Sequence, residues 1–292
     1  MSETGTGHLV TQLDDDERVI EIEIERLRDF KNHPFRIVED EQMKGLMASI
    51  AQYGILSPLI VRPVPEGVYE IVSGHRRKYA AKLLGYRKVP VIIRVLSDDE
   101  AVICMVDANL QRETMRPSEK ASAIRMKYDA MKRTPGTRPR SRRGYKVYGI
   151  RTVQIIGKAF GESPKQIQRY IRIAELVPEL LEKLDNGGIG FNPAYEVSFL
   201  KETEQRLLLE AMRFVQAKPS LSQAQRMKKI SQEGSLTLQK IKAILTEVKK
   251  GEIRRVMFKN EQLYQFFPRD YSPQRMQQEI LNILERWKSQ SR

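Results

Sequence analysis

Apolar and polar positions along this chain change rhythm several times, and each change predicts a different element. Val19, Ile20, Glu21, Ile22, Glu23 and Ile24 alternate apolar and charged, the pattern of a half-buried strand. Asn32-His33-Pro34 then breaks the chain. From Asp40 to Tyr53 the apolar residues Met43, Leu46, Met47 and Ile50 recur at helical spacing, and Gly54 is placed to end that helix. Strands follow over 59–62 and 69–72, joined by the turn Pro63-Val64-Pro65-Glu66-Gly67. The second strand stops at Ser73-Gly74 and runs straight into a helix with Arg76 and Arg77 in its first turn. Gly85 ends that helix, and 89–96 reads as another strand. Helices are predicted over 98–109 and from Pro117 onward, with proline suited to the first helical position and Glu119 to the first turn.

Further along, the pattern is helical. Val153, Ile155, Ile156 and Ala159 mark a short amphipathic helix over 153–160, followed by a Gly161-Glu162-Ser163 turn. Ser163, Pro164 and Gln166 read as N-cap, first-position proline and capping-box partner of the next helix. That helix, 164–176, keeps Ile167, Tyr170, Ile171 and Ala174 on one side and Lys165, Gln166, Gln168, Arg169 and Arg172 largely on the others. Helix, glycine turn and capped polar helix make a helix-turn-helix, whose second helix enters a DNA major groove. Lys and Arg there contact guanine or phosphate, and Gln pairs with adenine. An ordinary helical hairpin would share the pattern. More helices are predicted from Pro178 to Asp185, from Phe191, over 202–215 and from the Ser220 cap to Ile230. Leu238, Ile241, Leu245 and Val248 form a short apolar stripe, 253–258 suggests a strand, and Met276, Ile280, Ile283, Leu284 and Trp287 line one side of a last helix.

Composition adds a partner to this picture. The 292-residue chain has room for two or three domains, and its net charge of +14 points to a polyanion, nucleic acid before membrane. Much of that charge lies in 132–151, where Lys132, Arg133, Arg138, Arg140, Arg142, Arg143, Lys146 and Arg151 stand without an acidic residue. This reads as a flexible basic linker laid along phosphates. The single cysteine, Cys104, sits in an apolar helical run and reads as core, in keeping with a reducing cytosol. His8, His33 and His75 are scattered, with no zinc-site spacing. No apolar run approaches the ~18 residues of a membrane span, and no signal-peptide pattern opens the chain. The Gly/Thr-rich, then acidic residues 1–17 read as a disordered lead-in.

The candidate chemistry lies in Tyr69-Glu70-Ile71-Val72-Ser73-Gly74-His75-Arg76-Arg77. A helix start leaves backbone N–H groups unpaired at a positive dipole end, glycine admits a phosphate close to the backbone, and arginine forks onto its oxygens. Taken with Tyr53-Gly54-Ile55-Leu56-Ser57-Pro58-Leu59-Ile60 upstream and Asn109-Leu110-Gln111-Arg112 through Pro117-Ser118-Glu119 downstream, this stretch resembles the N-terminal domain of the ParB family of chromosome and plasmid partition proteins. There the boxes read approximately G-x-x-x-P-hydrophobic, G-E-R-R-x-x-A-A and E-N-x-Q-R-x-x-x-x-P-x-E. The resemblance spans about residues 18–200 and includes the following helix-turn-helix. It implies that Ser73, Gly74, His75, Arg76 and Arg77, with Asn109, Gln111 and Arg112 beside them, bind CTP and its Mg2+. It also implies that Ser163, Lys165, Gln166, Gln168, Arg169 and Arg172, aided by linker residues Arg140, Arg142 and Arg143, bind a short palindromic DNA site.

Two positions depart from the family. The glutamate before the asparagine, a magnesium ligand, is Ala108 here, and the glutamate of the arginine box is His75. Asp107 is one residue off, roughly 100° around a helix. Loss of one ligand weakens magnesium, so nucleotide binding with slow or absent hydrolysis is expected, at most a weak CTPase. The fold also resembles sulfiredoxin, but Ser73-Gly74-His75-Arg76 lacks that enzyme's cysteine.

The expected fold class is α+β. A lead-in (1–17) precedes a small mixed α/β domain (18–131), the basic linker (132–151), an all-helical helix-turn-helix domain (152–217) and a mostly helical C-terminal region (218–292) suited to dimerisation. The expected function is a sequence-specific DNA-binding partition protein, cytoplasmic and nucleoid- or plasmid-associated, closing as a CTP-gated clamp. Its expected partners are double-stranded DNA, a second copy and a ParA-type ATPase, with no membrane. The rivals are a transcriptional regulator with a degenerate nucleotide pocket and, last, a nuclease, for which no acidic cluster has metal spacing.

Overall fold

The computed structural model describes residues 18–110, 115–133, 152–247, 263–268 and 270–290. The expected site residues Gln111, Arg112, Arg140, Arg142 and Arg143, and the suggested strand over 253–258, lie outside them. The chain divides into two compact units, Met1–Thr246 and Glu247–Arg292.

The first unit begins with a five-stranded mixed sheet in the order β1-β5-β3-β4-β2. The strands are β1 (Val19–Glu23), β2 (Leu27–Arg28), β3 (Leu59–Val64), β4 (Val68–Ser73) and β5 (Lys88–Ile93). β1 runs antiparallel to β5 with Ile22 opposite Val89, β5 parallel to β3, β3 antiparallel to β4, and β4 parallel to the two-residue β2. Ile22, Leu59, Val61, Ile71, Val89 and Val91 form the core on one face. β1 lies at the sheet edge, so its alternation is only half used: Ile22 is buried while Ile20 is exposed. β5 stops at Ile93, short of the expected 96, and Val95 is exposed.

Helices α1 (Glu41–Tyr53) and α2 (His75–Leu83) pack together through Met43, Ile50 and Ala80. Asp40 caps α1 by accepting the Met43 N–H, and Ser97 with Glu100 makes a capping box at the start of α3 (Asp98–Asp107). α4 (Pro117–Arg133) serves two cores. Ala123 packs with Val72 and Met105 beside the sheet, whereas Ala121 and Ile124 pack with Ile156, Ile167 and Ile173 of the helical part.

That helical part comprises α5 (152–160), α6 (Pro164–Ile173), α7 (Pro178–Asp185), α8 (Phe191–Val197), α9 (Glu202–Val215), α10 (Leu221–Gln232) and α11 (Leu238–Thr246). Ala224 and Met227 of α10 and Ile241 and Leu245 of α11 fill the same core as α5–α9. In α5 the buried face is Val153 and Ile156, and Ile155 is exposed. In the second unit a final helix, Pro273–Gln290, leaves Ile283, Leu284 and Trp287 exposed. Among the described residues no helix is long and apolar enough to cross a membrane.

Candidate nucleotide and nucleic-acid sites

β4 ends at Ser73 and the chain turns at Gly74 into α2. Gly74 sits at φ +105°, and a Cβ there would stand 2.7 Å from Leu59 Cγ and 3.2 Å from Arg77 Nη2. Conformation and space both demand glycine. Gly74 also offers no side-chain cap, so the first-turn N–H groups of α2 lack the oxygen that Asp40, Ser97 and Ser163 supply to their own helices. This turn forms one wall of an open cleft of about 170 Å3, lined also by His33, Phe35, Arg36, Ile37, Ala108 and Asn109. The sequence-predicted Ser73, Gly74, His75, Arg76, Arg77 and Asn109 therefore come together.

Their side chains are held differently from one another. Arg77 is half-buried, and Nη1 donates to the carbonyls of Ser57 and Pro58, the latter at 2.8 Å. Both partners are uncharged, and loss of solvent draws its pKa below the usual arginine value. Arg76 leans on the start of α1, donating to Asp40 at 3.0 Å. The Met43 N–H, and then the Arg76 charge, hold the Asp40 carboxyl below its ordinary range. Asn109 turns its amide back onto the Met105 carbonyl at 2.8 Å.

His75 is buried, accepts the Phe30 N–H on Nε2 at 3.3 Å, and packs at a tilt against His33 with ring centroids 3.9 Å apart. Burial, reinforced by His33, lowers its pKa from 6.5 to about 3. Above pH 6.5 the ring is neutral folded or unfolded and adds no pH dependence. Between pH 6.5 and about 3 the unfolded chain takes up a proton that the folded ring refuses. Stability is thus expected to fall on acidification by ~1.4 kcal/mol per pH unit over that window. Denaturant unfolding at stepped pH values checks this, since a His75→Gln variant should lose that slope and an unchanged slope contradicts it.

The fit to magnesium fails on the described residues. Ala108 offers no oxygen, and Asp107, the neighbouring carboxylate, is paired with the buried Lys127 of α4. Among the described residues no group of three or more His, Cys, Asp or Glu could hold a metal. The segment 33–37 is the wall that periodicity missed, because an irregular loop carries no pattern. Its signal was Glu119, which is buried and accepts the backbone N–H of Arg36 at 3.0 Å and of Arg116 at 3.3 Å.

The second candidate site is the α5–α6 pair. Ser163 caps α6 by accepting the Gln166 N–H at 3.2 Å. Ile167, Tyr170 and Ile173 are buried, while Ser163, Lys165 and Gln168 are exposed and Gln166 is half-buried. Arg169 rests 5.4 Å above the Tyr195 ring and reaches Asn192 at 3.3 Å. Arg172 is spent within the fold, donating to Glu175 at 2.7 Å and the Ser198 carbonyl at 2.6 Å over the Phe199 ring. The outward polar set is therefore Ser163, Lys165, Gln166 and Gln168, with Arg169 at its margin. Gly157, which no periodicity marks, is held in this turn by space: a Cβ there would meet the Glu162 carbonyl at 2.6 Å. Gly157→Ala is expected to cost ~1–3 kcal/mol by overpacking this turn, measurable as a lowered thermal midpoint.

The chain is similar in sequence to known proteins of one family. The ParB N-terminal domain model matches residues 9–110. A probable chromosome 1-partitioning protein ParB of Deinococcus radiodurans is 30% identical over 210 residues, covering 72% of this chain and 66% of that relative. The chain spans 62–66% of the length of the first curated relatives it matches. A C-terminally truncated Caulobacter crescentus ParB complexed to the centromeric parS site is 22% identical, covering 78% of this chain and 100% of that one, at a TM-score of 0.41. The same protein complexed with CTP-gamma-S is 26% identical over 63% of this chain and 94% of that one, at a TM-score of 0.31. The chain belongs to the ParB family.

Proposed function

We propose that this chain is a sequence-specific DNA-binding partition protein that reads a palindromic duplex site through α6 and binds CTP at the Gly74 turn. The exposed polar face of a capped α6, backed by a buried Ile167-Tyr170-Ile173 face, carries the DNA reading. Lys165 takes a phosphate or guanine edge and Gln168 a base edge, with Ser163 and Gln166 at the helix start beside the backbone. Arg140, Arg142 and Arg143 of the basic segment add sequence-blind phosphate contacts.

At the cleft, the first-turn N–H groups of α2 and the Arg77 guanidinium hold phosphates, and Asn109 borders them. CTP supplies the triphosphate charge on which two N-terminal domains close, making a clamp of a dimer. A ParA-type ATPase and a nucleoid- or plasmid-bound location complete the reading. Ala108 favours a second reading, in which a regulator keeps the DNA-binding parts and the clamp function has decayed.

Genome-wide crosslinking of the intact protein, with and without Arg77→Ala, separates the two. A sharp peak with a spreading shoulder that the substitution removes supports the clamp. A narrow promoter peak that survives it supports the regulator.

A further inference from the structure

Resting on the nucleotide reading above, we infer that this pocket binds a nucleoside triphosphate on arginine charge alone, without a divalent cation. In a metal-dependent site, carboxylates hold a cation that in turn neutralises the phosphates. Here the described lining carries three arginines, Arg36, Arg76 and Arg77, two histidines and no carboxylate. Ala108 occupies the wall where an oxygen ligand would be needed, and the Asp107 carboxylate is tied to Lys127 on α4.

Arg77 points to what replaces the metal. Its guanidinium is half withdrawn from solvent and donates to two neutral carbonyls, so among the described residues its positive charge meets no counter-charge. A half-buried cation in that state gains most from an incoming anion. The Ser57 and Pro58 contacts use Nη1, and the remaining guanidinium donors can fork onto phosphate oxygens. The uncapped first turn of α2 adds its backbone donors and positive dipole end at the same wall. A triphosphate thus meets cations and N–H groups, while the Asp40 and Asp107 carboxylates beside this wall are already paired with Arg76 and Lys127.

The test is calorimetric titration of CTP into the intact protein, once in Mg2+ and once in EDTA. Affinities within roughly threefold of each other support the inference. Binding that appears only with Mg2+ overturns it and leaves the nucleotide reading intact, while no binding in either buffer overturns both. A designed converse is Ala108→Glu, at an exposed position following α3. The added carboxylate should weaken CTP binding in EDTA by at least about tenfold through like-charge repulsion, with Mg2+ restoring it. If Ala108→Glu binds equally well in both buffers, the wall at 108 does not decide the metal requirement and the inference fails.

Discussion

Raising salt from 50 to 200 mM is expected to weaken binding of the cognate duplex by roughly 10³–10⁵, the effect of releasing counterions from ~6–10 phosphates. The charge balance of +14 makes this the largest expected response of the molecule. Fluorescence anisotropy on a labelled duplex across a salt series measures the slope directly, and a flat series would contradict the DNA reading. Single substitutions then divide the contacts. Gln168→Ala should cost ~1–3 kcal/mol at one base position only. Lys165→Ala, if it removes a phosphate contact, weakens all sequences alike and lowers the salt slope by about one. Arg172→Ala should instead lower thermal stability, because that side chain joins α6 to Glu175 and the Ser198 carbonyl.

Gly74→Ala is expected to remove nucleotide binding and to destabilise the first unit by ~2–4 kcal/mol, from a strained left-handed backbone and an overpacked turn. The new methyl would press on Leu59, whose side chain is fully buried at the centre of the sheet, and on the Arg77 guanidinium. Gly54→Ala is the matched control. It too has positive φ, +73°, but nothing lies within 4 Å of the added carbon, so only the backbone cost of ~1 kcal/mol remains. Denaturant unfolding of both variants, followed by CTP titration, measures the difference. Equal destabilisation would mean that the Leu59 contact does not govern the turn.

Local chemistry made much of this legible in advance. α9 spans the expected 202–215, and Ser163-Pro164-Lys165-Gln166 announced α6 because caps and first-turn prolines act within a few residues. The Gly74 turn was visible for the same reason. What stayed hidden depends on residues distant in sequence. Arg172 and Lys165 look alike as charges on one helix, and only the fold puts Ser198 under the first and leaves the second exposed. Gly157 looks like an ordinary small residue until the carbonyl five positions on closes against it. The 33–37 wall reaches the cleft through Glu119, 83 residues after Arg36. The two-residue β2 is too short to impress any periodicity.

The double allegiance of α4 limits how this molecule can be taken apart. A fragment ending at the basic segment would keep the helix but turn Ala121 and Ile124 toward water, whereas one beginning after it would leave Ile156 and Ile167 missing two neighbours. Neither half is a finished object, so proteolytic nicking between 134 and 151 should yield pieces that remain associated on a sizing column instead of separating.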